Sequence, residues 1–256
     1  MPLDRSWRLL DFGRIDIYTA MATDEAILNG VADGSSPDTI RFAQFDPPVV
    51  SLGYFQSVRD EIDLDACERL GIGVARRLIG GGAAYEDFRG ELTYGVCVRL
   101  PHPRIPSDLL PSYEALSSGV IAGLGHLGVN ASFAGVNDVV VRGRKIGGVG
   151  QCRCKDALLQ EGSILLDDMP NMFKVLKISQ RKMQEKGFSD PQDRMTNIKR
   201  ELGEQADIGG LKRLLVKSFE DRLQVAITPG ALNDREKSVI SNLREKYSSV
   251  EWVHRR

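Results

Sequence analysis

Three short stretches hold residue types able to do chemistry. In "RRLIGGGAAYED" (76–87), Arg76 and Arg77 precede Gly80, Gly81 and Gly82. Backbone without side chains can approach a ligand, and guanidinium charge suits a carboxylate or a phosphate. Strand alternation would put only one of the two arginines on the ligand side. The same residues also fit a plain flexible strand connection. No Gly-Lys-Ser/Thr follows, so this is not a P-loop; a strand rather than a helix follows, so it is not a dinucleotide fingerprint. In "GRKIGGVGQ" (143–151), Lys145 shares a strand with Gly147, Gly148 and Gly150. A lysine beside bare backbone suits a point charge aimed at a phosphate or acyl oxygen. An exposed hairpin lysine fits equally well. In "QCRCK" (151–155), Arg153 and Lys155 flank Cys152 and Cys154, and cationic neighbours lower a thiol pKa. Either thiol is a candidate nucleophile, beside the plainer reading of packed thiols. With no second Cys pair and with His102, His126 and His254 scattered, no metal site is expected.

The elements that must position these groups are mostly strands in the first half. "PPVVSLGYF" predicts a buried strand. "LTYGVCVRL" alternates, with Leu92, Tyr94, Val96 and Val98 on one face and Thr93, Gly95 and Cys97 on the other. "NDVVVRGRKIGGVGQ" (137–151) predicts a hairpin, and "GSILLDD" (162–168) a further strand. Helical spacing links Tyr113, Leu116, Val120 and Leu124, with Gly128 as a stop. Further helical stripes start at Met169, Met172, Phe173 and Leu176, at Leu211, Leu214, Leu215 and Phe219, and at Val239, Ile240 and Leu243. The sum is an α+β fold, a mixed sheet flanked by helices, in one domain over 1–256. A small C-terminal helical lobe could begin near residue 205. The basic stretch from Lys174 to Arg200 could link it, or dock an acidic carrier, though a solvated helix face fits it too.

Composition narrows the class. The 256 residues are 42% hydrophobic and 27% charged, with Lys+Arg 34 against Asp+Glu 35. That near balance argues against a nucleic-acid binder, and no apolar run is long enough to span a membrane. Four cysteines without a disulfide pattern fit a cytoplasmic location.

Taken in order, the motifs resemble those of the biotin–lipoate protein ligase superfamily, and most of all a lipoate–protein ligase catalytic domain. "AMATDEAIL" is similar to the family's first helix and "RFAQFDPPVVSLGYFQ" to its next strand pair. "RRLIGGGAAYED" resembles its Arg-Arg-x-x-Gly-Gly-Gly motif. "NDVVVRGRKIGGVGQ" with "LLQEGSILLDD" resembles its central signature, and "RMTNI" and "EKYSSVEW" its later markers. The resemblance runs from about residue 8 to 252. It implies activation of lipoate or octanoate by ATP with Mg2+ to an acyl-AMP. The acyl group then passes to a lysine of a lipoyl carrier domain, such as that of a 2-oxoacid dehydrogenase or a glycine-cleavage H-like protein. It implies that Lys145 binds the acyl carbonyl and the phosphate. It also implies that Arg77, Gly80, Gly81, Gly82, Tyr85, Gly148, Val149 and Gly162 bind substrate, and that Asn137 and Asp138 face the nucleotide.

The chain departs from the family in two ways. Glu86 and Glu161 stand where the family has histidines. A carboxylate there repels a phosphate unless it is paired or turned away, with Arg76 and Arg153 as the expected partners. The chain also ends soon after "SSVEWVHRR", where ligases often continue into an accessory domain. A separately encoded accessory subunit would then be needed for adenylation. The alternative within the superfamily is an octanoyltransferase that takes its acyl group from a carrier thioester through a cysteine, without ATP. That branch has its cysteine just before the "ND" strand or well downstream of the lysine. Here 128–136 reads "GVNASFAGV", and no cysteine follows Cys154. A non-catalytic binder of acylated carriers or of an adenylate is a third alternative, against which the retained Lys145, Arg77 and Asn137 argue.

Overall fold

The structure, a computed structural model, describes residues 6–177 and 190–256. Its strands are β1 (Ser6–Ile15), β2 (Thr39–Phe45), β3 (Val49–Leu52), β4 (Gly73–Arg76), β5 (Ala84–Glu86), β6 (Glu91–Arg99), β7 (Ser132–Ala134), β8 (Asp138–Val141), β9 (Arg144–Cys154), β10 (Ala157–Leu165) and β11 (Ala226–Pro229). Its helices are α1 (Ile17–Asp33), α2 (Val58–Glu61), α3 (Leu64–Leu70), α4 (Leu109–His126), α5 (Met172–Val175), α6 (Ile198–Leu202), α7 (Ile208–Leu223), α8 (Asp234–Ser248) and α9 (Val250–Val253). Eight strands form one sheet in the order β11-β1-β2-β6-β10-β9-β8-β7, and three form a second in the order β4-β3-β5. The fold is α+β.

The alternation of β6 organises both faces of the large sheet. Leu92, Tyr94, Val96 and Val98 join Ile40 and Phe42 in the main core, beneath α4 and α7. Tyr113, Leu116, Val120 and Leu124 of α4 meet Leu211, Leu215 and Phe219 of α7 in that same core. The opposite face is covered by α1, where Leu10, Cys97 and Leu159 pack against Ile27, Leu28 and Val31.

Helix α1 is the crossover between parallel strands β1 and β2. Asp16 caps its start by accepting from the Thr19 N–H, and Gly34 ends it in the left-handed region. Helix α8 packs on α1, and Arg8 and Glu236 join it to the sheet through buried hydrogen bonds of 2.7 and 2.6 Å. Among the described residues, no helix is long and apolar enough to cross a membrane.

Two local expectations differ from the structure. The stripe starting at Met169 is helical only over Met172–Val175, because Leu176 leaves the helix to bridge Ile62. The 137–151 hairpin continues to Cys154, and its ladder shifts register between Val139 and Val140, so Lys145 and Gly147 are not simple alternating neighbours. The basic stretch 174–200 falls partly on residues 178–189, outside the described residues.

Candidate functional site

A cavity of about 270 Å³ lies between the α1 face of the large sheet and the small sheet. That is near the lower end of the range for small-ligand pockets. Met21, Phe45, Ile79, Leu165, Met172 and Phe173 give it apolar walls. Of the residues expected to bind ligand, Arg77, Gly81, Gly82, Tyr85, Asn137, Lys145, Gly148, Val149 and Gly162 line it. Gly80, Asp138, Cys152 and Cys154 do not.

The two adjacent arginines point in opposite directions, as alternation requires. Arg76 is fully buried away from the cavity, donating to the carbonyls of Gly53, Gln56 and Val253. Arg77 turns to the cavity and grips the glycine loop. It donates to the carbonyls of Gly80 (3.2 Å) and Gly82 (2.6 Å), and to Ser51 through both its carbonyl and its Oγ. Gly81 sits at φ +102°, a conformation that side chains rarely adopt. The loop is therefore held by its arginine rather than left as a loose connection.

Lys145 lies across bare backbone. A Cβ on Gly148 would stand 2.6 Å from its Nζ. Asp138 holds that Nζ at 2.8 Å, and Arg194 approaches the other oxygen of Asp138 at 3.4 Å. The Lys145 backbone is pinned by hydrogen bonds to Arg194 and Thr196. Asn137 donates its side-chain amide to the Val149 carbonyl at 3.0 Å.

Beside Glu161, which the sequence singled out, the cavity floor carries residues that it did not. Arg41, Glu91, Thr93 and Glu161 project from β2, β6 and β10 on one face, and Asp24 comes down from α1. Arg41 donates twice to Asp24, at 2.9 and 2.5 Å, and once to Thr93 at 3.2 Å. It reaches Glu161 at 3.4 Å. Gly95 makes this possible, since it is the cross-strand partner of both Arg41 and Glu161 and leaves the space between them open. Glu86 accepts a short hydrogen bond from Ser51. Glu86 is thus hydrogen-bonded by Ser51 and Glu91, with the charge of Arg77 acting on it, and Glu161 is paired with Arg41. Neither Arg76, which faces the other way, nor Arg153, which donates to Ser112, pairs with them. A strand order that sets β2, β6 and β10 side by side creates these pairings.

Burial dominates the ionisation of this floor. It pushes Glu86 up, against the Ser51 hydrogen bond and the charges of Arg77 and Arg41. Burial, and then the neighbouring Glu86, raise Glu91 well above the usual carboxylate range. Burial, and then Asp24, do the same to Glu161. Burial lowers Arg77.

The thiols lie elsewhere. Cys67 and Cys97 are buried. Burial raises Cys152, the direction opposite to activation. The Cys154 thiol contacts Asn29 Oδ1 at 3.7 Å.

An α+β domain with a lysine over a glycine strand and an arginine-held glycine loop, together closing an apolar cavity, defines an enzyme of the biotin–lipoate protein ligase superfamily. A family model described as the lipoyl protein ligase A/B catalytic domain matches residues 16–220. The chain belongs to that family. It is 35% identical to octanoyltransferase LipM of Moorella thermoacetica over 100% of both chains. It is 34% identical to octanoyltransferase LipM of Geobacillus kaustophilus over 98% of both. Among solved structures it is similar to a bipartite lipoate protein ligase of Thermoplasma acidophilum. The TM-score is 0.85 at 28% identity, over 97% of this chain and 96% of that one. A lipoate-protein ligase A bound with ATP superposes with a TM-score of 0.84 at 26% identity, over 97% and 98%.

Proposed function

We propose that this enzyme transfers a medium-chain acyl group, octanoyl in the first instance, from a thioester donor to a lysine on a lipoyl carrier domain, without ATP. The cavity's make-up carries the reading. An apolar slot walled by Met21, Phe45, Ile79, Leu165 and Met172 reaches Lys145, which suits an eight-carbon chain with its carbonyl at the lysine. End-to-end likeness to octanoyltransferases supports the same reading.

The chemistry needs one developing charge to be stabilised. The carrier lysine's neutral amine attacks the thioester carbonyl, forming the C–N bond and placing negative charge on the carbonyl oxygen. Lys145, steadied by Asp138, is the donor for that oxygen. Collapse breaks the C–S bond. The thiolate leaves and takes up the proton shed by the amine, and the product is an amide. None of the four cysteines lines the cavity, so the amine attacks directly and no acyl-enzyme forms. Arg77 keeps the glycine loop closed over the chain, with Gly148 and Val149 as its backbone bed.

The absence of a cavity cysteine also favours a second reading, in which the acyl group arrives as an adenylate made with ATP. Asn137 and Asp138 would then face the nucleotide, and a separate accessory subunit would assist. Two reactions separate the readings, each followed by intact-mass spectrometry of an apo carrier domain. One supplies an octanoyl-acyl carrier protein without ATP; the other supplies octanoate, ATP and Mg2+. Octanoylation in the first supports the proposal, and octanoylation only in the second replaces it with the ligase reading.

A further inference from the structure

The glycine loop is held from behind as well as by Arg77. Arg76 is fully buried, and it ties two distant parts of the chain to one point. Trp252 of α9 donates its indole N–H to the Arg76 carbonyl at 2.8 Å, and Arg76 Nε donates to the Val253 carbonyl at 3.0 Å. Main chain and side chain of one residue are thus both engaged by α9. The far end of the guanidinium gathers the turn after β3. Its Nη1 donates to the carbonyls of Gly53 at 3.0 Å and Gln56 at 2.7 Å. The Gln56 side chain closes that turn by accepting from the Gly53 N–H at 2.8 Å. Hydrogen bonds from a charged donor are about twice as strong as neutral ones, so the turn is firmly tied to Arg76.

That turn is the bed of the loop. A Cβ on Gly53 would stand 2.1 Å from the Gly81 carbonyl oxygen, closer than Cβ atoms come, so the two backbones touch directly. The Gly53 φ lies outside the left-handed region, so this close approach, rather than backbone conformation, requires the glycine. The Tyr54 N–H donates to the Ile79 carbonyl at 2.9 Å, which fixes the stem of the loop. Ile79, Gly81 and Gly82 line the cavity, whereas Trp252, Arg76 and Gly53 do not. A line of contacts therefore runs from α9 through Arg76 and Gly53 to the cavity wall.

We propose that Trp252 and Arg76 are positioning residues that set the glycine loop and, through it, the affinity for the acyl group. This deepens the acyl-transfer reading and rests on it for the ligand.

The test uses Trp252→Phe in the full chain. The variant loses the indole N–H and keeps a ring to pack edge-on against Tyr54 and Tyr247. Amide hydrogen exchange without ligand should quicken over residues 78–83 and stay at the wild-type rate in β6. The KM for octanoyl-acyl carrier protein should rise about fivefold, the worth of one net hydrogen bond, with kcat unchanged because Lys145 lies on another strand. A contact that served stability alone would leave loop exchange and KM as they are in wild type. Wild-type exchange over 78–83, or a KM within about twofold of wild type, overturns the proposal. If Trp252→Phe does not fold, Gly53→Ala takes its place under the same criteria, since its Cβ forces the Gly81 carbonyl to retreat. Failure of the wild type to transfer octanoyl at all would refute the acyl-transfer reading, and loop exchange alone would then decide on the positioning residues.

Discussion

Replacing Gly95 with alanine tests how the cavity floor is assembled. Gly95 lies on β6 between Arg41 on β2 and Glu161 on β10. An added Cβ would stand 2.8 Å from Arg41 Nε, 3.1 Å from its Cζ and 3.2 Å from its Cγ. The guanidinium is buried and held by two hydrogen bonds to Asp24 and one to Thr93, so it cannot yield without losing one of them. Overpacking of this kind costs about 1–3 kcal/mol. Restricting the unfolded chain returns about 0.4–1 kcal/mol. Gly95→Ala should therefore be less stable by about 1.3 kcal/mol, the difference of the two mid-range values. Urea unfolding followed by circular dichroism reads this directly. Gly73→Ala is the control. Its Cβ would meet only Val49 Cγ2, at an ordinary 3.6 Å, so its stability should be unchanged or slightly higher. Wild-type stability in Gly95→Ala would refute the claim that the missing side chain makes room for Arg41.

Further expectations concern protons and thiols. Glu91 and Glu161 have folded-state pKa values raised well above 4.5, so the native state holds protons that the unfolded chain releases. Their stabilising contribution is full below the unfolded pKa and is lost as pH rises toward the folded pKa. Each costs about 1.4 kcal/mol per pH unit across that window. Glu91→Gln and Glu161→Gln should each flatten the decline of stability with pH above 4.5, read by unfolding at several pH values; an unchanged slope would contradict the assignment. Cys152→Ser and Cys154→Ser, singly and together, should leave carrier octanoylation near wild type. A hydroxylamine-sensitive octanoyl adduct on Cys152 would contradict direct transfer.

Much of this was readable where one residue constrains its own element. The alternation of "LTYGVCVRL" gives the two faces of β6 correctly, and the Arg76–Arg77 pair divides between core and cavity as a strand must. The stripes at Leu211 and Val239 are helices. The missed residues are those whose meaning depends on strand order. Arg41 is a charge in the middle of "TIRFAQF", and Gly95 is a gap in an apolar strand; each signals a close approach, but neither names its partner. Only β2, β6 and β10 side by side join them to Glu161 and Asp24. Glu91 opens a strand, and its burial beside Glu86 of the small sheet follows from tertiary packing that no local pattern carries.

The most direct test of the account is octanoylation of an apo lipoyl carrier domain from an octanoyl thioester with ATP omitted, timed for wild type and for Lys145→Ala. The account predicts an octanoyl amide on the carrier lysine with wild type. It predicts a rate lower by roughly 10²–10³-fold in the variant, as for loss of one oxyanion donor, with the fold intact. A carrier that stays unmodified until ATP is added, or a Lys145→Ala variant that transfers at the wild-type rate, would contradict it.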